Sequence, residues 1–197
     1  MEIRFMKYNE LQSVILLARG VYETCARNYV SSPAMVQQFY DYIDINSLSR
    51  QLLAGELYVW GALDGQLLCG VSAMQSGAHV TMLYVHPSYQ RQGIGTQLLA
   101  NMAEFAVNDL GARRITAHVI PAVCAPFFYH RGYAQMRGVH AELDMLPLEY
   151  IFTPLIKREN EPYPTKPVKA KTVVLLTIVF FLTASVISVT AALMALI

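Results

Sequence analysis

The chain has 197 residues, 54% of them apolar, and a formal net charge of +1 at pH 7. This length provides one domain with a full core and is too short for two domains of ordinary size. A net charge near zero, without a basic stripe interleaved with aromatic residues, argues against nucleic acid as a partner. Cys25, Cys69 and Cys124 lack metal-ligand spacing and lie in apolar surroundings, so we expect reduced core cysteines and no metal site.

The first half of the chain predicts a strand, three helices and a hairpin. Apolar spacing indicates a strand at residues 3–5, an amphipathic helix from about residue 9 to between 28 and 33, a helix at 34–45, and a short helix through 53 capped by Asn46 and Ser47. Residues 57–63 and 66–74 alternate as a hairpin around an Asp-Gly turn. Three antiparallel strands then lead into the centre of the sheet.

The stretch at residues 79–99 organises the rest of the chain. It alternates as a strand, breaks at His86-Pro87, and continues with helical spacing after the loop Gln90-Arg91-Gln92-Gly93-Ile94-Gly95-Thr96. A Gly-rich loop that enters a helix leaves the first-turn N–H groups unpaired, and its glycines let an anion approach the backbone. The loop therefore predicts a binding site for a phosphorylated cofactor.

The second half of the chain predicts a long helix followed by strands. The helix should end at Leu110-Gly111, because the apolar spacing stops there. Beyond it we expect a strand at 113–119, a short helix at 122–131, and a last pair of strands at 133–144 and 148–156. This order of elements predicts an α/β domain of three layers, with a mixed central sheet and helices on both faces.

The loop spacing Gln-x-x-Gly-x-Gly resembles the coenzyme A signature of the GCN5-related N-acetyltransferase (GNAT) family. Downstream, Pro126-Phe127-Phe128 and Gly132-Tyr133 resemble the PFFxxxGF segment of the YafP-like branch of that family, and the order of elements over residues 1–157 is similar to the GNAT three-layer fold. The resemblance implies an N-acetyltransferase that passes an acetyl group from acetyl-CoA, its cosubstrate, directly to a primary amine in a ternary complex. The acceptor would be a small molecule, or a lysine or N-terminus of a protein.

The resemblance also implies which residues bind acetyl-CoA. Backbone groups of Leu83, Tyr84 and Val85 match the positions that pair with the pantetheine arm. The pyrophosphate would lie on the loop formed by Gln90, Arg91, Gln92, Gly93, Ile94, Gly95 and Thr96, with Phe127 and Phe128 of the second motif completing the cofactor site. In the family, the region of Tyr29, Phe39, Tyr40 and Tyr42 covers the acceptor side, where these aromatic residues either line a substrate pocket or pack in the core.

Two residues are candidate catalytic groups. His79 stands eleven residues before the loop, where some relatives carry a catalytic Glu, and an imidazole accepts a proton near neutral pH. The alternatives are His86, Glu104, and a solvent-exposed His79 without a catalytic role. Many relatives have a tyrosine as general acid at the position of Phe128, whereas the nearest hydroxyl here is on Tyr129. Because of this departure, the alternative function is a catalytically idle module at the membrane that binds CoA as a scaffold or a sensor.

The C-terminal part of the sequence predicts a membrane anchor. Residues 172–197 contain no charged residue, and as a helix they would extend about 39 Å, enough to cross a hydrocarbon core of about 30 Å. Residues 158–171 form a basic, Pro-rich linker, and positive flanks stay on the cytoplasmic side, so we expect residues 1–157 to form a cytoplasmic acetyltransferase domain with a single-pass anchor in the lipid bilayer. Ala184, Ser188 and Ala192 are small residues spaced four positions apart, a pattern typical of paired helices, so a homodimer is an alternative to a monomer.

Overall fold

A computed structural model describes residues 1–141 and 144–152 of the chain. Within these ranges the helices are α1 (Leu11–Val21), α2 (Pro33–Tyr42), α3 (Ile45–Leu53), α4 (Ile94–Asn108) and α5 (Ala125–Tyr129). The strands in the same ranges are β1 (Glu2–Phe5), β2 (Leu57–Asp64), β3 (Leu67–Gln75), β4 (His79–Val85), β5 (Arg114–Val119), β6 (Ala134–Gln135) and β7 (Leu146–Ile151). These elements follow the order predicted from the sequence.

The strands form a mixed sheet with the order β1-β2-β3-β4-β5-β7-β6 across the described residues. Strands β1 to β4 pair antiparallel, and so do β5, β7 and β6. Strands β4 and β5 pair parallel, and α4 supplies the long connection that a parallel pair requires. The predicted mixed sheet is confirmed.

Helices cover both faces of this sheet. On one face α4 and α5 pack in a cluster whose fully buried side chains include Leu98 and Met102. On the other face α1 and α3 pack in a second cluster that includes Leu11, Val14 and Leu48. Burial of apolar surface stabilises the fold by about 25 cal/mol per Å², so the apolar stripe of each helix fixes the side that faces the sheet. The three-layer α/β architecture is therefore confirmed.

Helix α1 is shorter than the sequence predicts. It ends at Val21, and the chain continues as one wide π turn, Tyr22–Ala26, and a 3₁₀ turn, Arg27–Tyr29. The Thr24 hydroxyl donates a hydrogen bond to the Gly20 carbonyl at 2.8 Å, and such a bond competes with the regular helical ladder. The apolar spacing runs through these turns unchanged, which is why it predicted one longer helix.

Two further local predictions were wrong. The cap of α3 is Asp44 and not the Asn46-Ser47 pair, because the Asp44 carboxylate accepts hydrogen bonds from both of their backbone N–H groups, at 2.9 and 3.2 Å. Strand β6 has only two residues, Ala134–Gln135, where a strand at 133–144 was expected. The chain leaves the sheet soon afterwards, at a turn with Gly138 at φ +75°.

The cysteines are free, as predicted, but they do not share one environment. Cys69 is buried in the core, whereas Cys25 and Cys124 are exposed. The prediction of three core cysteines is therefore wrong for two of them. Both exposed cysteines lie in short turns beside helix ends, where neighbouring apolar residues in the sequence do not bury the thiol.

The described residues contain no helix that is long and apolar enough to cross a membrane. The predicted linker at residues 158–171 and the predicted transmembrane helix at 172–197 lie outside the described residues, as does the end of the last predicted strand beyond residue 152.

Gly132 provides a test of the packing beside β7. It has φ +83°, and a Cβ atom there would lie 2.9 Å from Cε2 of the Tyr150 ring, whereas Gly138 has φ +75° and open space around it. We expect Gly138→Ala to destabilise the domain by about 1 kcal/mol through backbone strain alone. Gly132→Ala should add the steric conflict and cost about 2–4 kcal/mol in total.

The measurement is thermal unfolding of the full chain followed by the fluorescence of Trp60, the single tryptophan, which is 3% exposed in β2. Equal losses of stability in the two alanine variants would contradict the predicted contact between Gly132 and Tyr150.

Candidate active site

A cleft opens in the sheet where β4 and β5 separate. These strands pair only through His79 with Thr116 and Val80 with Ala117. Opposite this point the register between β3 and β4 shifts, and Thr81 is the extra residue of a β-bulge. Beyond Val80, the edge of β4 that faces β5 has no strand partner in the described part of the chain. Backbone N–H and C=O groups of β4 are therefore available to a ligand.

A side-chain hydrogen bond holds the bulge in place. The Tyr42 hydroxyl of α2 donates to the Thr81 hydroxyl at 2.6 Å. Burial raises the pKa of Tyr42, so the phenol stays protonated and able to donate. This contact joins α2 to the point where the sheet opens. Tyr42 and Phe39 pack against the core, which supports the core alternative for these aromatic residues, while Tyr29 is 59% exposed.

The predicted cofactor loop lies at the outer end of β4. Gly93 has φ +83° and precedes the first residue of α4, and no described side chain caps this helix. The first N–H groups of α4 therefore point outward without an intrahelical partner, and the helix dipole places partial positive charge beside them. A Cβ atom on Gly95 would lie 3.4 Å from the Phe127 ring, so α5 packs directly against the loop at this glycine. The loop fits a diphosphate group.

Glutamine side chains brace this loop from within. Gln90 Nε2 donates to the Val85 carbonyl at 3.0 Å and to Cys25 Sγ at 3.7 Å. Gln92 Nε2 donates to the Ser88 carbonyl at 3.1 Å. Arg91 is exposed and has φ +62°, a conformation that costs a non-glycine residue energy. The two predicted Gln positions thus shape the loop through their side chains.

The three residues at the end of β4 alternate between the two faces of the sheet. Leu83 and Val85 pack against the α4 face, and Tyr84 packs on the opposite face, with its ring centroid 6.1 Å from that of Phe39. All three are half-buried. Burial raises the pKa of Tyr84. The Val85 carbonyl already accepts a hydrogen bond from Gln90 Nε2, and the pairing of these three residues with a pantetheine arm stays a prediction.

His79 lies two residues before the bulge, at the inner end of the cleft. Its Nδ1 and the Thr116 hydroxyl are 2.8 Å apart, and its ring centroid is 4.8 Å from that of His118. Burial, aided by the charge of His118, lowers the pKa of His79 to about 4. The imidazole is therefore neutral at pH 7. The alternative of a solvent-exposed His79 does not hold, because the ring is largely enclosed by neighbouring residues.

The other proton-transfer candidates lie elsewhere. His86 is exposed, and its Nδ1 accepts a hydrogen bond from the Ser88 N–H at 3.3 Å, so it shapes the turn after β4. Glu104 is exposed on α4. Tyr129 is 44% exposed on α5, next to Phe128, which is 7% exposed and packs in the core against Tyr133. A catalytic role for Tyr129 and a cofactor contact for Phe128 stay predictions.

Arg131 contacts two of the predicted cofactor residues, and the sequence analysis did not name it. Its Nε donates to the Thr96 hydroxyl at 3.1 Å, its Nη2 contacts the same oxygen, and its Nη1 donates to the Phe127 carbonyl at 2.6 Å. The guanidinium carbon lies 3.6 Å from the centroid of the Phe127 ring. Thr96 and Phe127 were predicted cofactor residues, so Arg131 joins the two motifs. The sequence signal that could have identified it is the position of this arginine, directly before Gly132-Tyr133 of the second motif.

The described residues hold no group of three or more His, Cys, Asp or Glu side chains arranged for a metal ion.

The sequence profile of the acetyltransferase (GNAT) domain matches residues 25–148, more than half of the chain. The chain belongs to the GNAT family. It is accordingly a GNAT-type N-acetyltransferase with acetyl-CoA as cosubstrate. No curated protein sequence matches the chain.

Solved structures of GNAT enzymes share the fold. PaiA N-acetyltransferase from Thermoplasma acidophilum, in complex with coenzyme A, is 19% identical with a TM-score of 0.65 over 77% of this chain and 98% of that one. YncA, an acetyltransferase from Salmonella typhimurium with its cofactor acetyl-CoA, is 18% identical with a TM-score of 0.54 over 82% and 97%. A spermidine N-acetyltransferase from Vibrio cholerae is 13% identical with a TM-score of 0.55 over 77% and 95%. At these identities the likeness establishes the fold.

Proposed function

We propose that this GNAT enzyme transfers the acetyl group of acetyl-CoA to a primary amine by direct attack in a ternary complex. The acceptor is a small molecule, or a lysine or N-terminus of a protein. The observation that carries the proposal is the cleft between β4 and β5, which has the amide-lined loop at its outer end and neutral His79 at its inner end. Among enzymes of the same fold, the spermidine N-acetyltransferase acts on a small amine by its name.

Backbone groups would bind the cosubstrate. The N–H groups of Gly93 and Gly95, reinforced by the α4 dipole, would hold the diphosphate, and the open edge at Leu83–Val85 would pair with the amides of the pantetheine arm. Acetyl-CoA supplies the thioester carbonyl that the amine attacks. Because backbone atoms carry these contacts, the position of the loop and of β4 matters more than their side chains.

His79 would accept the proton of the attacking ammonium, directly or through water. It lies beside the bulge at the inner end of the cleft and is neutral at pH 7. A pKa near 4 makes direct acceptance of an ammonium proton unfavourable, and an imidazolium formed in this way would release the proton to water at once. Phe128 cannot donate a proton to the leaving thiolate, so Tyr129 is the candidate acid. A thiol with a pKa of about 8.5 also leaves with little assistance.

Substitution of the loop glycines tests cofactor binding. Gly93→Glu and Gly95→Glu should abolish saturable acetyl-CoA binding to the full-length protein, measured by calorimetry in detergent micelles, because a carboxylate would repel the diphosphate from the loop. The matched control is Gly65→Glu, at φ +60° in the β2–β3 turn with open space around it. Binding that persists in both loop variants would disprove this assignment.

His79→Gln tests the proton acceptor. With acetyl-CoA and a panel of amines that includes polyamines and peptides, the wild type should release free thiol only when an accepted amine is present. The variant should lower kcat/KM at pH 7 by about 100-fold or more, and the loss should shrink toward pH 9, where more of the amine is already deprotonated.

A loss of the same size at every pH would assign His79 a positioning role only. Binding of acetyl-CoA without thiol release for any amine would favour the second candidate function, an idle CoA-binding scaffold or sensor at the membrane. The observation that motivates this candidate is the buried Phe128 at the position of the general acid.

The remaining parts of the proposal concern the C-terminal sequence. We place the chain in the YafP-like branch on its second motif, with residues 158–171 as linker and 172–197 as a transmembrane anchor that keeps the enzyme domain cytoplasmic. The uncharged run at 172–197 and the basic residues before it support this.

Full-length protein should stay in membranes after alkaline carbonate extraction, and a variant lacking 172–197 should be released. Release of both proteins would refute the anchor, and crosslinking that finds only monomers would refute a homodimer.

A further inference from the structure

The segment between α1 and α2, residues 22–32, lies on the face of the sheet opposite α4, and we call it the strap. Its buried side chains form one cluster, which consists of Tyr22, Ala26 and Val30. The cluster packs against Tyr84 of β4 and against Ile120, the residue that follows β5. Because β4 and β5 do not pair with each other beyond Val80, the strap bridges the two strands where they have separated.

Regular secondary structure holds little of the strap. It consists of a π turn, Tyr22–Ala26, a 3₁₀ turn, Arg27–Tyr29, and three residues without regular structure. Such short turns make less favourable backbone hydrogen bonds than an α-helix. The position of the strap therefore depends on contacts with neighbouring elements, and segments of this kind open more easily than the core.

Asp144 fastens the far end of the strap. Its Oδ2 accepts hydrogen bonds from the N–H and the hydroxyl of Ser31, at 2.8 Å each, and from the N–H of Ser32 at 3.2 Å. The bonds to this carboxylate lower its pKa, the one from the Ser31 hydroxyl most, so the side chain is an ionised acceptor at pH 7. The backbone carbonyl of Asp144 accepts from the Ala122 N–H at 3.0 Å. One residue thus joins the strap to the chain between β5 and α5.

Helix α2 connects this fastening to the bulge in β4. Ser32, whose N–H group Asp144 holds, is the N-cap of α2, and its hydroxyl accepts from the Met35 N–H at 3.4 Å. At the other end of the same helix, Tyr42 donates to Thr81 at the bulge. Both ends of α2 are therefore tied to the cleft, and a displacement of the strap would reach β4 through this helix.

We propose that Asp144 is a positioning residue for the acceptor amine, because it holds the strap in place as the wall along which the amine approaches the thioester. The proposal rests on the proposed acetyl transfer in the cleft between β4 and β5. On the α4 face, Leu83 and Phe128 pack in the core beside the cleft, so the amine has to arrive from the strap face. Asp144 acts through the strap and not by contact with either substrate. Loss of its bonds lets the strap shift, and a misplacement of about 1 Å can cost about 100-fold in rate.

Asp144→Ala tests this role against a matched control. Glu10→Ala also removes a carboxylate with three donors, two on Arg4 and one on the Lys7 backbone, beside β1 at the edge of the sheet. Thiol release by the full-length protein in detergent micelles is measured with acetyl-CoA and with spermidine, 2-phenylethylamine or a short lysine peptide. Asp144→Ala should raise KM for each accepted amine about tenfold or more and keep the Kd of acetyl-CoA within about twofold. Glu10→Ala should change neither value.

Two milder variants keep the test decisive if Asp144→Ala does not fold. In Asp144→Asn the amide oxygen still accepts hydrogen bonds but carries no charge, so KM for the amine should lie between the values of the wild type and of Asp144→Ala. Ser31→Ala removes only the hydroxyl donor and should raise KM about twofold to tenfold. Values of KM equal to that of the wild type in both variants would refute the role of Asp144.

Hydrogen exchange follows the strap itself, without any substrate. In Asp144→Ala the backbone N–H groups of Ser31 and Ser32 lose their acceptor, so they should exchange about tenfold faster or more. In Glu10→Ala the faster exchange should be confined to the residues around Lys7. Unchanged exchange of the strap in Asp144→Ala would refute the fastening.

The kinetic outcomes separate this inference from the proposed function. An unchanged KM for the amine in Asp144→Ala, together with faster exchange of the strap, would refute the positioning role while the proposed function stands. Equal rises in KM for the amine and in the Kd of acetyl-CoA would indicate a general loosening of the cleft and would also refute it. If the wild type releases thiol with none of the three amines, the proposed function fails first, and the role of Asp144 fails with it.

Discussion

The parallel pairing of β4 with β5 extends over only two residue pairs, and the position of the active-site cleft depends on this limit. The bulge at Thr81 turns β4 away from its neighbour, and the hydrogen bond from Tyr42 fixes the turned conformation. Backbone groups on the edge of a separated strand still require partners, because an unpaired buried N–H or C=O group is unfavourable. A ligand that carries amide groups, as pantetheine does, provides such partners. In the proposed function, the incomplete sheet would therefore bind the cosubstrate through its backbone.

Helix α5 connects the core to the cofactor loop. Phe128 is buried against Tyr133 on the α4 face of the sheet, and burial of a phenylalanine stabilises a fold by about 1.5–3 kcal/mol. The preceding residue, Phe127, meets the loop at Gly95, where a Cβ atom would lie 3.4 Å from its ring. Arg131, one turn later, reaches Thr96. Core packing thus positions a cation at the first turn of α4, and the aromatic residues of the second motif serve the site mainly by holding this geometry.

Local patterns predicted most of the architecture. The alternation in β2, β3 and β4, the glycines of the loop and the helical spacing of α4 are each set by residues close together in the sequence, so the mixed sheet and the loop could be predicted. Contacts between distant residues could not. One local detail could not be predicted either, because Asp44, Asn46 and Ser47 are all suitable residues for a helix cap. The Asp144 carboxylate accepts from the N–H and hydroxyl of Ser31 at 2.8 Å each, across 113 positions. The contact of Arg131 with Thr96 spans 35 positions and has no local signature.

The environment of His79 also depends on contacts between residues that are distant in the sequence, and it affects the chemistry. Its position in the sequence indicated a base, but its burial against Thr116 and His118 depends on the register of β5, and that burial holds its pKa near 4. The enclosure around His79 disfavours an ammonium ion, because a charge loses hydration there. The outer end of the cleft is positive and attracts phosphate groups. This asymmetry would orient the cosubstrate with its anionic end outward, and it would favour loss of the ammonium proton, to His79 or to water, at the inner end before the amine attacks.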